Sequence, residues 1–115
     1  MSKGELEMAY ARVTMAEFNS RAEMHGAIEE LGKNAKSVFP EILMFAAMET
    51  AENSQLTISV YKDKDAAERA VAQRDKAMEN TGVADLFTHE GNVNTFYIDD
   101  SQLAFLLAAT PEKPK

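Results

Sequence analysis

At 115 residues, with 45% hydrophobic and 27% charged content, the chain has the size and balance of one domain around one core. A formal net charge of -7 sets a repulsive field toward phosphate backbones and anionic lipid, which argues against nucleic-acid and membrane partners. The absence of cysteine excludes a disulfide framework, a thiolate nucleophile and a thiolate metal site.

Residues 1–7 lack the apolar run of a secretion signal and read as an N-terminal tail. No stretch approaches the roughly 18 consecutive apolar residues of a membrane span, so a cytoplasmic protein is the expectation. Residues 8–15 alternate, with Met8, Tyr10, Arg12 and Thr14 on one side and Ala9, Ala11, Val13 and Met15 on the other, which predicts a strand. Thr14 with Glu17 matches a capping box and predicts a helix from about Met15 to Leu31, its stripe formed by Phe18, Ala22, His25, Ile28 and Leu31. Gly32 is a natural stop, and residues 33–39 read as a polar connection closed by Pro40.

The run Ile42-Leu43-Met44-Phe45-Ala46-Ala47-Met48 is apolar at successive positions and predicts a strand that needs cover on both faces. Thr50 to Ser54 interrupts the pattern. Gln55 to Tyr61 resumes it, with Leu56, Ile58 and Val60 opposite Thr57, Ser59 and Tyr61, so the two strands read as a hairpin. Asp63 and Asp65 both suit an N-cap, and Asp65 with Glu68 forms a second capping-box pattern, opening a helix to about Asn80. Gly82 can end it in left-handed geometry. The helix stripe carries Ala67, Ala70, Val71, Arg74, Ala77 and Met78. A last strand is predicted at Val93 to Ile98 after Gly91-Asn92, then a short apolar helix or strand at Leu103 to Ala109 and a loose tail.

Strand, helix, strand, strand, helix, strand is the split βαβ order, which folds most economically as a four-stranded antiparallel sheet with two helices on one face. Residues 8–99 then form one α+β, ferredoxin-like βαββαβ domain, and 100–115 a C-terminal extension. The second and fourth strands lie at the edges. A strand that is greasy on both faces and placed at an edge calls for a second copy of the chain.

Pro40-Glu41-Ile42-Leu43 entering the second strand, and Tyr61-Lys62-Asp63-Lys64-Asp65-Ala66-Ala67 leaving the third, resemble the dimeric α/β-barrel superfamily and its antibiotic-biosynthesis-monooxygenase-like branch. The resemblance implies a homodimer built from two ferredoxin-like sheets and a cofactor-independent monooxygenase, or related enzyme, acting on a small organic molecule. The chain departs from the branch in having Tyr61 where tryptophan is common, and in placing Ser37-Val38-Phe39 where the loop often holds glycine. With no tryptophan and neither histidine on the second helix, it does not fit the haem-degrading members.

Two residues are the catalytic candidates. His25 falls where the first helix stripe calls for an apolar residue, so its imidazole is either a base facing the helix-to-sheet space or a hydrogen-bonded core or dimer-contact group. Arg74, on a stripe of small residues, either binds a substrate oxyanion or pairs with one of nineteen acidic residues or solvent. Tyr10 and Arg12 share a face of the first strand and belong to a pocket or to an interface; with Met44 and Tyr61 they are the ligand-binding candidates, for a small apolar or aromatic molecule. His89-Glu90 reads as loop, no metal-ligand spacing is present, and no cofactor fingerprint occurs. The alternative function is a non-catalytic binding or structural dimer.

Overall fold

The computed structural model describes residues 8–79 and 81–105. The elements run β1 (Tyr10–Phe18), α1 (Arg21–Lys33), a one-turn helix α2 (Ala35–Val38), β2 (Ile42–Ala51), β3 (Ser54–Tyr61), α3 (Lys64–Ala77) and β4 (Val83–Asn92), then a 3-10 turn at Asp100–Gln102. All strand pairs are antiparallel, in the order β2-β3-β1-β4. The expected ferredoxin-like order is present, with β2 and β4 at the edges.

Alternation in β1 continues past Met15, burying Tyr10, Arg12, Thr14, Ala16 and Phe18 on the helix side. Thr14 and Glu17, expected to start a helix, instead sit in the ladder opposite Thr57 and Ser54. Pairing with two neighbouring strands outweighs one local cap. The box that operates is Ser20 with Glu23: the Ser20 hydroxyl accepts from the Glu23 N–H at 3.1 Å and donates to its carboxylate at 3.0 Å.

A helix that starts at Arg21 has a different phase. It buries Met24, Ala27 and Leu31, and leaves Ala22 and His25 outside the core, contrary to the expected stripe. Gly32 does not stop α1, which runs to Lys33 and is capped by Asn34. The expected polar connection contains α2, whose Val38 packs beside the core.

In α3 the N-cap is Asp63, whose Oδ1 accepts from the Ala66 N–H at 2.8 Å, while Asp65 sits in the first turn, where its charge suits the helix dipole. Ala66, Ala67 and Ala70 form the buried stripe, small enough to bring this helix close to the sheet. The helix ends at Ala77; Asn80 lies outside the described residues. Gly82 has φ +82°, and its carbonyl accepts from the Asn19 N–H at 2.7 Å, tying the turn before β4 to the turn before α1. A Cβ there would run into the Glu23 carboxylate. Gly82→Ala is expected to cost about 2 kcal/mol in urea unfolding, from left-handed backbone and disturbance of the α1 cap together.

The last strand is Val83–Asn92, not residues 93–98. β4 pairs along the whole of β1, and His89 and Glu90, expected in a loop, lie within it. Its alternation is hard to see because its helix-side positions include Thr88 and Glu90. Val93 still donates to the Ala9 carbonyl at 2.8 Å, but Phe96 and Tyr97 beyond it are exposed and outside any strand. Residues 103–105 are helical; the rest of the predicted apolar element lies outside the described residues.

The register sorts the two sheet faces into rows. Toward the helices, across β2, β3, β1 and β4, stand Phe45-Ser59-Arg12-Glu90 and, one row along, Ala47-Thr57-Thr14-Thr88. Away from them stand Ala46-Ile58-Val13-His89 and Met48-Leu56-Met15-Phe87. The polar rows therefore lie under the helices, and the apolar rows are open. A register shift between Ile42 and Met44 lets the apolar run of β2 serve both faces: Ile42 and Phe45 pack with the core, while Met44 and Met48 share the open face.

Candidate functional site

A small cavity, partly open to solvent, lies between the helices and the polar rows. It has about 30 Å³ of free volume, room for about two waters. Leu31, Phe39, Phe45 and Met78 supply its apolar wall, and Arg12, Thr14, Thr57, Ser59, Tyr61 and Arg74 its polar groups. Phe45 and Met78 are only partly buried, and methionine is flexible enough to yield to a larger guest.

Arg12 is almost fully buried and heavily committed. Its Nε and Nη2 donate to the two Glu90 carboxylate oxygens at 3.4 and 3.2 Å, its Nη1 donates to the Ala67 carbonyl at 3.0 Å, and its guanidinium lies 6.0 Å from the Tyr61 ring centre. The small residues of α3 make the Ala67 contact possible. Glu90 is held below the usual carboxylate range, chiefly by the Arg12 hydrogen bond. Burial pushes the Tyr61 phenol upward, against the opposing pull of Ser59 and Arg12, so it is a neutral donor at pH 7.

Arg74 is held from its exposed side. Its contacts run to Asp75 at 3.3 and 3.4 Å, distances like those of the Arg12–Glu90 pair, and to the Thr88 hydroxyl at 3.5 Å, but Asp75 is well exposed. An ion pair with so exposed a carboxylate is worth little. Arg12 and Arg74 each donate three hydrogen bonds and each has one carboxylate partner; what sets Arg74 apart at the cavity is that its carboxylate, Asp75, is 62% exposed, against 37% for Glu90. Thr14 and Thr57 are more than nine-tenths buried, yet no described residue hydrogen-bonds their hydroxyls, and neither oxygen is sealed off from the cavity.

Of the residues singled out in the sequence, the cavity brings together Arg12, Tyr61 and Arg74. His25 is absent from its lining: it is exposed on α1, with Nε2 2.7 Å from Glu49 Oε2. Arg21 donates to the same carboxylate at 3.1 Å and to the Glu52 carbonyl, so this cluster ties α1 to the β2–β3 hairpin. Glu49 is held below its ordinary range, first by His25 and then by Arg21. Met44 lies on the open face, and buried Tyr10, beside Glu90, is outside the lining. The sequence reading missed Thr14, Thr57, Ser59 and Glu90. Their signal was polar alternation in neighbouring strands, Arg12 and Thr14 against Thr57 and Ser59, which marks a polar floor once the register is known.

No family model and no curated protein matches the chain. Solved structures do. A dimeric ferredoxin-like protein from an uncultured marine organism is 14% identical, covering 81% of this chain and 94% of its own, with a TM-score of 0.60. SnoaB, a cofactor-independent oxygenase from Streptomyces nogalater solved as a mutant, is 15% identical, covering 79% and 98%, with a TM-score of 0.62. The chain has the ferredoxin-like α+β fold of these proteins. A monooxygenase from Streptomyces coelicolor, in complex with the ligand Nanaomycin D, is 10% identical, covering 80% and 93%, with a TM-score of 0.59. In this ferredoxin-like frame the cavity occupies the gap between sheet and helices.

Proposed function

We propose that the chain is a cofactor-independent oxygenase of a small electron-rich aromatic molecule, bound between helices and sheet and held by its ionised oxygen at Arg74. The observation that carries this is a guanidinium whose carboxylate partner lies on the exposed side, at a cavity whose floor is hydroxyl-lined, in a fold shared with oxygenases. A ring hydroxyl beside a guanidinium ionises more readily, and the resulting electron-rich ring can itself reduce oxygen. The described lining contains no carboxylate or imidazole, so the proton leaves to solvent, and Tyr61 contributes a neutral donor. The absence of a base in that lining favours, as a second reading, a binding protein without turnover.

Two copies would pack through the open apolar faces, burying Met48, Leu56, Met15 and Phe87, three of which are heavily exposed in the single chain. A ring-sized guest requires Phe45 or Met78 to move, since the resting cavity holds only water-sized groups.

The test uses 1,4-dihydroxynaphthalene under oxygen-18 gas. The enzyme reading expects 2-hydroxy-1,4-naphthoquinone with one labelled ring oxygen: one oxygen atom enters the ring, the other leaves as water, and the substrate supplies all four electrons. Spontaneous oxidation instead yields the unlabelled quinone and hydrogen peroxide. Binding without label above the protein-free rate would leave only the second reading standing.

A further inference from the structure

The Thr14 and Thr57 side chains are largely buried, and their hydroxyls reach the cavity with no hydrogen-bond partner among the described residues. We propose that they form a second subsite, so that the ligand is a monoanion gripped at two points: its charged oxygen by Arg74 and a second, neutral oxygen by the Thr14–Thr57 pair. The inference rests on the ligand site proposed above and adds the charge and oxygen pattern of what it takes.

The monoanion follows from the charges. Glu90 meets Arg12 through both carboxylate oxygens and is 37% exposed, whereas Asp75 meets Arg74 at similar distances but through one oxygen, and is 62% exposed. One guanidinium whose carboxylate partner lies on the exposed side is thus placed to meet one negative charge from the cavity side; a dianion would be buried with half its charge unmet, and a neutral ligand would cover the cation on that side without offering a charge.

The second oxygen follows from the register. Thr57, Thr14 and Thr88 occupy one row across β3, β1 and β4, and Arg74 reaches down to Thr88 at its end. Neighbouring strands lie about 5 Å apart, so Thr14 and Thr57 stand about one and two strand spacings from the Thr88 position beneath Arg74. An oxygen on the far side of a ring from the one at Arg74 thus comes level with Thr14, with Thr57 one strand beyond it, and a threonine hydroxyl can donate to a carbonyl or accept from a hydroxyl. Valine would fill these strand positions equally well, so burial alone does not call for a hydroxyl at either one.

Titration calorimetry with three probes tests this: 2-hydroxy-1,4-naphthoquinone, ionised at neutral pH; its neutral methyl ether, 2-methoxy-1,4-naphthoquinone; and 2-naphthoate, an anion without ring oxygens. Wild type should bind the ionised quinone at least about tenfold more tightly than the methyl ether, the worth of a charge-assisted hydrogen bond. Arg74→Gln should weaken both anions. Thr14→Val and Thr57→Val should each weaken the ionised quinone about fivefold and leave 2-naphthoate unchanged, and Thr57→Ser should restore affinity. Equal binding of the quinone and its methyl ether would overturn the monoanion, while valine variants that lose both anions alike, or neither, would overturn the second subsite. In each of those cases the ligand site itself stands. If no probe binds wild type, the ligand site falls and this inference with it.

Discussion

Glu90→Leu is expected to destabilise the fold by about 2 kcal/mol at pH 7, although Glu90 is a partly exposed residue on an edge strand. The cost arises at Arg12, whose side chain is 4% exposed and would be left charged with only the Ala67 carbonyl as a strong partner. Breaking a fully buried pair costs about 3–5 kcal/mol; Glu90 is 37% exposed, which reduces the loss. Arg12→Met should cost less, because the stranded carboxylate can turn to water while the methionine fills the site.

The same pair sets a pH dependence with a definite sign. Glu90 is depressed in the folded chain, first by the Arg12 hydrogen bond. Its contribution is therefore complete above the ordinary glutamate value of about 4.3 and is lost as pH falls through the lower folded value. Urea unfolding of wild type and Glu90→Leu should differ by about 2 kcal/mol at pH 7 and converge at the acid end of the range. A gap that stays constant into acid would place the source of stability somewhere other than this pair.

Leu56→Asp should convert the proposed dimer to monomer. Leu56 stands in the middle of the open apolar face, between Met48 and Met15 in the row that ends at Phe87. Covered by a twin face, an aspartate there has no partner, and burying an unpaired charge costs several kcal/mol. A two-fold interface counts the substitution twice. Sedimentation at micromolar concentration should report twice 12.7 kDa for the wild type and 12.7 kDa for the variant. Phe45→Asp is the informative contrast, since Phe45 faces the helices and its change should disturb the cavity and the fold first. A wild-type monomer, or a Leu56→Asp dimer, would remove the open face from the assembly.

The order of elements and the antiparallel sheet were legible because period-two alternation and the Asp63 cap are local signals. The two errors of placement came from competition between local and distant partners. Thr14 and Glu17 have the spacing of a cap, but β3 and β4 supply ladder partners that only tertiary structure reveals, and the shifted helix start carried His25 out of the core. At the other end, Val93 to Ile98 has strand-like residues yet no strand partner among the described residues, while Val83 to Asn92 pairs with β1, apart from an irregularity at Ala84, despite a helix-side row of Leu86, Thr88 and Glu90.

Arg12, Tyr61 and Arg74 could be singled out from sequence because a charge or a phenol among apolar or small neighbours is conspicuous. Thr14 and Thr57 could not, since threonine is an ordinary strand residue. Their meaning depends on two facts of packing: the row they share, and the helices that lie above it without offering them a partner.

The most direct measurement compares turnover of 1,4-dihydroxynaphthalene by wild type and Arg74→Gln under oxygen-18 gas, with circular dichroism and unfolding midpoints matched between the two. Removing the oxyanion partner while keeping the fold should lower labelled product by about a hundredfold, the scale of losing one preorganised donor to a developing charge. Equal labelled product from the two proteins would contradict a site centred on Arg74.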